Sequence, residues 1–211
     1  MENVLEIPRE VRERLASGGL SGCQVERVVL SEVELGSPTL DQVRFRQATL
    51  ERVGLRGSTG REVVFTGCQM RGVDLRGAWF RQTNVVQSQA REARFDGALL
   101  EKVAFSGTPL DNARFDGATL REVSFAASSL YGASFAGAML MKCKFEDAMM
   151  GAAALNRVDL RRALLIEVDL SGAILRGADL SGAIFVKADL RGAVLEDVRL
   201  DGAQWIDCLG R

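Results

Sequence analysis

The residues best suited to chemistry in this chain are the regularly spaced aspartates Asp159, Asp169, Asp179 and Asp189 and the four cysteines Cys23, Cys68, Cys143 and Cys208. Carboxylates in clusters do acid–base work or hold cations, and thiols act as nucleophiles or metal ligands. Both uses need partners that the sequence does not supply. It contains no histidine, which removes Ser–His and Cys–His pairs and the usual zinc sets. The cysteines lack a Cys-x-x-Cys spacing, and no P-loop, G-x-G-x-x-G or G-x-S-x-G occurs. No enzyme, cofactor or metal is expected. The spacing itself is the informative part. The aspartates stand ten apart, and the cysteines are separated by multiples of five.

A frame of five runs through the chain. From Leu20 to Trp205, every fifth residue is large and apolar, with Gly60 and Ala90 as the exceptions and Val25, Met70, Val85 and Met150 as softer variants. All ten phenylalanines occupy this central position. Two places earlier stands a small residue, usually Ala, Val, Cys, Ser or Thr, and the four cysteines are among them. A period of five fits neither a helix nor a flat strand, so it marks a repeat architecture. If every fifth side chain points inward, the chain turns a corner every five residues. Four corners close a square, and one coil takes twenty residues. Phe95, Phe115 and Phe135 then stack on one wall, and Phe105, Phe125 and Phe145 on the opposite one. Leu180 belongs to the same core. The aspartates fall alternately on opposite walls, which suits a structural role. Cysteines on coils two or more apart exceed the reach of about 7 Å between Cα atoms that a disulfide allows, so all four read as buried thiols.

The units ADLSG at 178–182, VDLSG at 168–172, ADLRG at 188–192 and VDLRG at 73–77 resemble the A-(D/N)-L-x-x repeat of the pentapeptide-repeat family. That resemblance implies an all-β fold, a right-handed quadrilateral parallel β-helix of nine to ten coils. It also implies a role. The quinolone-resistance and gyrase-poison immunity members are rods that resemble duplex DNA in size and charge and engage type II topoisomerases. The leading expectation is therefore a non-enzymatic rod that binds DNA gyrase or topoisomerase IV and protects it from a poisoning antibiotic. The alternative is a passive protein-interaction scaffold.

Charge bears on the choice between them. The chain carries 27 basic and 28 acidic side chains, a net charge of −1, and no section is strongly acidic. Duplex DNA carries one negative charge per about 1.7 Å, so simple charge mimicry is not written here. Arg56, Arg76, Arg94 and Arg114 share one wall, but Asp74, Asp96 and Asp116 temper them. Direct nucleic-acid binding is not expected. No apolar run approaches the roughly 18 residues of a membrane span, and no signal-peptide core follows the start. The expected location is the cytoplasm.

Residues 1–19 lie outside the frame and read as an N-terminal cap, with 20–211 as the β-helix. Ile7, Val11 and Leu15 fall at i, i+4 and i+8, and Gly18-Gly19 can end a helix, so 7–17 is predicted as a short helix covering the first coil. At the other end, stepping by twenty brings Leu164, Ile184 and Gln204 into one outward column and Ile166, Val186 and Ile206 into another. An apolar stripe beside an open last coil points to a C-terminal homodimer, with Leu164, Ile166, Ile184, Val186, Trp205, Ile206 and Leu209 at the interface. The gaps at Gly60 and Ala90 allow two readings, under-packed turns or surface loops whose length preserves the frame. Candidate partner contacts are Thr59, Gly60, Arg61, Gln87 and Gln89 at these spots, and the outward Trp79, Tyr131, Met139 and Met141.

Overall fold

The computed structural model describes residues 3–5 and 8–210. They form a right-handed quadrilateral parallel β-solenoid of about nine turns, with one short helix at the N-terminal end. Every paired strand meets its neighbour in a register of twenty, as in Phe45 with Phe65, Leu100 with Leu120 and Phe185 with Trp205. Wall I carries the central residues Val25 through Phe125 to Trp205, and wall II those from Leu30 to Leu190. Wall III runs from Leu35 through Phe115 to Leu195, and wall IV from Leu20 to Leu200. At about 4.8 Å per coil, nine turns give a rod roughly 45 Å long.

The corners explain why the strands are short. Among the described residues, the backbone takes a positive φ two residues after each central side chain from Leu20 on except Leu35, where Gly36 takes it. Twenty-two of these residues are not glycine, among them Ala127 at 55° and Arg162 at 59°. The left-handed conformation costs an L-residue about 1–2 kcal/mol. It is held because each coil's backbone is bonded to the coils on both sides: Phe95 N–H donates to Arg114 O at 2.6 Å, and Arg114 N–H donates to Ala93 O at 2.9 Å. Most strands therefore span three residues. Two continue round the corner from wall IV to wall I, Trp79–Val86 and Leu99–Ala104.

Inside, the small residues sit where the backbone comes close to the axis, and the large ones fill the centre. Phe115, Phe125, Phe135 and Phe145 are fully buried. Phe95, Phe115 and Phe135 stack with centroids 4.8 and 4.7 Å apart. Phe105, Phe125 and Phe145 stack on the facing wall at 5.5 and 5.3 Å. The two stacks also meet edge to face across the axis, as Phe115 and Phe125 do at 5.5 Å and 83°. Such ring pairs add about 0.5–1.5 kcal/mol each beyond their buried area.

The N-terminal end is closed. A helix over Pro8–Ser17 buries Val11 and Leu15; Ile7, the predicted helix start, lies outside the described residues. Strand Asn3–Leu5 precedes it and pairs with Cys23–Val25 on wall I, with Leu5 buried. Leu5 thus occupies a central position before the helix interrupts the coil, although the frame read from sequence begins at Leu20. Gly19 leads out of the helix at φ 141°, and a Cβ there would lie 1.9 Å from Thr39 O. Only glycine fits that approach.

Both gaps lie in regular coil, not in loops. Thr59–Arg61 is a strand paired with Thr39–Asp41 and with Trp79–Arg81, and Ala90 is buried in frame. The two gaps differ in kind. A Cβ on Gly60 would meet the Phe80 ring at 2.2 Å, so the ring one coil on occupies the missing volume. Beside Ala90 a void of about 20 Å³ remains, walled by Met70, Phe80, Val85, Phe95, Leu100 and Phe105 among others. Opposite outcomes are expected in thermal unfolding. Gly60→Leu overpacks and destabilises by about 1–3 kcal/mol, whereas the smaller Ala90→Val fills space and stabilises by about 0.5–1 kcal/mol. Equal destabilisation by both would contradict this packing.

Candidate interaction surface

The regular aspartates are fasteners of their own corners. Asp159, Asp169, Asp179 and Asp189 each accept a hydrogen bond from the backbone N–H two residues on, at 3.1, 2.8, 3.0 and 3.0 Å. This is the local turn closure that short acidic side chains favour. Asp159 and Asp179 neighbour each other on wall IV, and Asp169 and Asp189 on wall II. Side-chain hydrogen bonds from Arg161, Ser181 and Arg191 hold the Asp159, Asp179 and Asp189 carboxyls below their ordinary range. Among the described residues no group of Cys, Asp and Glu is placed to hold a metal ion. Cys23, Cys68 and Cys143 are buried free thiols, and burial pushes the Cys143 thiol up to about 12. Cys208 departs from the expectation of four buried thiols. It is only half-buried, because no coil of the described chain covers the last turn.

Wall III, the arginine wall, is neutralised in place. Asp74 receives Arg56 and Arg76, both at 2.7 Å. Asp96 lies 3.5 Å from Arg94 and 3.1 Å from Arg114, and Arg114 reaches Asp116 at 2.5 Å. Burial raises the Asp74 carboxyl, but the hydrogen bonds from Arg76 and Arg56 outweigh it and bring the pKa down to about 2. A face whose guanidinium groups are committed to adjacent carboxylates offers little free positive charge to phosphates.

The candidate contact residues are spread over several surfaces. Thr59, Gly60, Arg61 and Trp79 line one groove on wall IV, with Thr39, Leu40, Asp41 and Arg81. Met139 and Met141 lie farther along the same wall, reached through Leu99–Glu101 and Thr119–Arg121. Gln89 and Tyr131 stand on wall II and Gln87 at a corner, so they do not join that groove. Tyr131 is 60% exposed and leans over Gly151. Arg81 and Leu99 belong to the wall IV surface but were not among the expected residues. Stepping by twenty from Trp79 and from Arg61 would have found them.

At the C-terminal end, Leu164, Ile184 and Gln204 form one column and Ile166, Val186 and Ile206 the next. Leu164, Ile206 and Leu209 are exposed, while Ile166, Ile184 and Val186 are half-buried. Trp205 stacks on Phe185 at 4.1 Å and 7°. Its outer side, like Leu195, Val198 and Leu200, is left incompletely covered.

Filled interior, corner-fastening aspartates and patterned outer walls define a repeat solenoid whose usable features are all on its surface. The sequence matches the pentapeptide repeat region description over residues 58–135 and the eight-copy pentapeptide repeats description over 151–182 and 173–204. The chain belongs to the pentapeptide-repeat family. No curated protein is similar enough in sequence to count as a relative. Among solved structures, it is similar to HetL, a pentapeptide repeat protein involved in heterocyst differentiation regulation in Nostoc sp. strain PCC 7120. The identity is 23% over 95% of this chain and 94% of that one, with a TM-score of 0.45. It is also similar to QnrB1, a plasmid-mediated fluoroquinolone resistance protein, at 20% identity over 86% and 91%, TM-score 0.42. A third is Rfr23 from the cyanobacterium Cyanothece 51142, at 17% over 96% and 99%, TM-score 0.26. Among the described residues no helix is long and apolar enough to cross a membrane.

Proposed function

We propose that the chain is a non-catalytic rod that docks on a protein. The partner assigned is a type II DNA topoisomerase, DNA gyrase or topoisomerase IV, shielded by the rod from a poisoning antibiotic. The observation that carries the docking role is the division of the molecule into a filled core and an outer surface with apolar patches, since a solid rod acts through its walls. The choice of topoisomerase rests on the resemblance of the A-D-L-x-x units to the topoisomerase-protecting members of the family. Charge supports a different manner of engagement from DNA mimicry. Net charge is −1, and the arginines of wall III are paired. The same balance, together with regular coil at Gly60 and Ala90, favours a second reading, a scaffold with no topoisomerase role.

Gyrase supercoiling with and without a gyrase poison separates the two. The first reading expects the purified chain to restore supercoiling under poison at concentrations that leave the unpoisoned enzyme unaffected. It also expects fewer trapped cleavage complexes. No effect on gyrase or on topoisomerase IV from the same host leaves the scaffold.

The same rod is proposed to act as a two-fold dimer through its C-terminal end in the cytoplasm. Support comes from the stripe of Leu164, Ile166, Ile184, Val186 and Ile206 running to an incompletely covered coil with Trp205 and Leu209. A two-fold axis would place each stripe against its copy. Light scattering is expected to give twice the chain mass, reduced to the single mass by Ile206→Asp with Leu209→Asp. A single mass for the unaltered chain would sink the dimer.

A further inference from the structure

On wall IV, residues one coil apart form two parallel columns. Thr59, Trp79, Leu99, Thr119 and Met139 make the first, and Arg61, Arg81, Glu101, Arg121 and Met141 the second. The first column carries large apolar side chains open to solvent at three of its five positions: Trp79 is 49%, Leu99 38% and Met139 45% exposed. A groove of about 380 Å³ opens at one end of it. Thr39, Thr59 and Trp79 are among the residues that line it. The groove is large enough for one bulky apolar side chain.

The second column is neutralised at Arg61, which pairs with Asp41 at 2.8 Å, but less so beyond it. Arg81 faces Glu101 at 3.9 Å, and among the described residues Arg121 has no carboxylate within 4 Å. On wall III, by contrast, Arg56, Arg76 and Arg114 each have a carboxylate within 2.7 Å. An apolar column with under-paired arginines alongside it is complementary to a segment that is apolar on one face and acidic on its flank.

Spacing decides the shape of that segment. Rungs repeat every 4.8 Å or so, while a helix repeats every 5.4 Å or so per turn. Over the four steps from Thr59 to Met139, a helix along the rod drifts by only about half a rung. A strand, whose same-face side chains stand about 6.7 Å apart, drifts by more than a whole rung over the same distance. Helical side chains therefore stay in step with the column, and strand side chains do not.

We propose that wall IV between Thr59 and Met141 is the docking face for an acidic amphipathic helix of the protein partner, an assignment that rests on the protein-binding role above. A large apolar residue of that helix sits in the groove against Trp79. Following residues lie along Leu99 and Met139, and its carboxylates pair with Arg81 and Arg121. The helix runs about 19 Å along the rod, or about 13 residues at 1.5 Å each.

The test uses the full chain with Trp205→Phe, so that fluorescence reports Trp79. Two stapled helical peptides of about 15 residues, a length at which an unstapled helix is marginal in water, serve as probes. They share one leucine face and differ only in flanking glutamates or flanking lysines. The acidic peptide is expected to bind about ten-fold more tightly, the effect of two exposed ion pairs. Arg81→Glu with Arg121→Glu, both at exposed positions, is expected to reverse the preference while leaving the melting temperature near that of the parent. Equal affinity for the two peptides, binding of neither, or a preference unchanged in the double variant overturns the assignment. If the double variant still binds its topoisomerase as the parent does, the protein-binding role stands and wall IV is the wrong face.

Discussion

The left-handed residue at each corner governs everything else in this molecule. It turns the chain through a right angle after each central side chain, so that one large apolar group per five residues points at a common axis. Isolated, such a corner is unfavourable for the glutamines, glutamates and arginines that often occupy it here. Stacked, each is held by backbone hydrogen bonds to the coils before and after, and by the burial of the core residue next to it. Neither the corners nor the core exists without the other, and no single coil is complete alone. This interdependence explains why the frame is so strictly kept. Among the described residues one end of the solenoid is covered by the Pro8–Ser17 helix, and Leu195, Leu200 and Trp205 are partly open at the other.

What the fold demands of the outward positions is much looser. Alternate side chains on each wall need only tolerate water and one another. Some of the freedom is used for the rod's own benefit, as in the aspartates that bond their own turns and the arginine–aspartate ladder of wall III. The remainder differs between walls. Wall I is apolar towards the C-terminal end, wall IV is apolar over its middle coils, and wall III is charged and paired. Any selectivity for a partner lies in those differences, since the backbone beneath them is the same everywhere.

That asymmetry separates what could be read in the sequence from what could not. The coil of twenty, the stacking of Phe95 on Phe115 and the columns of the C-terminal stripe all follow from counting, because the core admits one residue class per position. Leu5 stands in phase with Leu20 and its strand pairs in register with Cys23–Val25, but it escaped because Glu10, on the intervening helix, interrupts the run of apolar residues. Gly60 and Ala90 looked alike as gaps, and the frame gave no means of telling them apart. The difference is that the Phe80 ring swings into the space over Gly60, while nothing enters the space beside Ala90. The groove on wall IV was half visible through Thr59, Gly60, Arg61 and Trp79. Its other members, Arg81 and the adjoining Leu99, have no repeat signature of their own, and only stepping by a coil brings them in.

The central claim is that the period of the side chains, and no particular sequence, sets the fold. Two deletions test it most directly. Removing residues 106–125 takes out one whole coil and joins Phe105 to Ala126 in frame. Removing Ser106 alone leaves one unit of four residues between Phe105 and Leu110, so the coil that carries it cannot stack in register on the coil before it, although the period of five is kept on either side. With circular dichroism followed through thermal unfolding, the shorter rod is predicted to keep its β signal and a cooperative transition. The one-residue deletion is predicted to uncouple the coils on its two sides, lowering the melting temperature and broadening or splitting the transition. If the single deletion melts like the parent, or the whole-coil deletion fails to fold, the corner-and-core account is wrong.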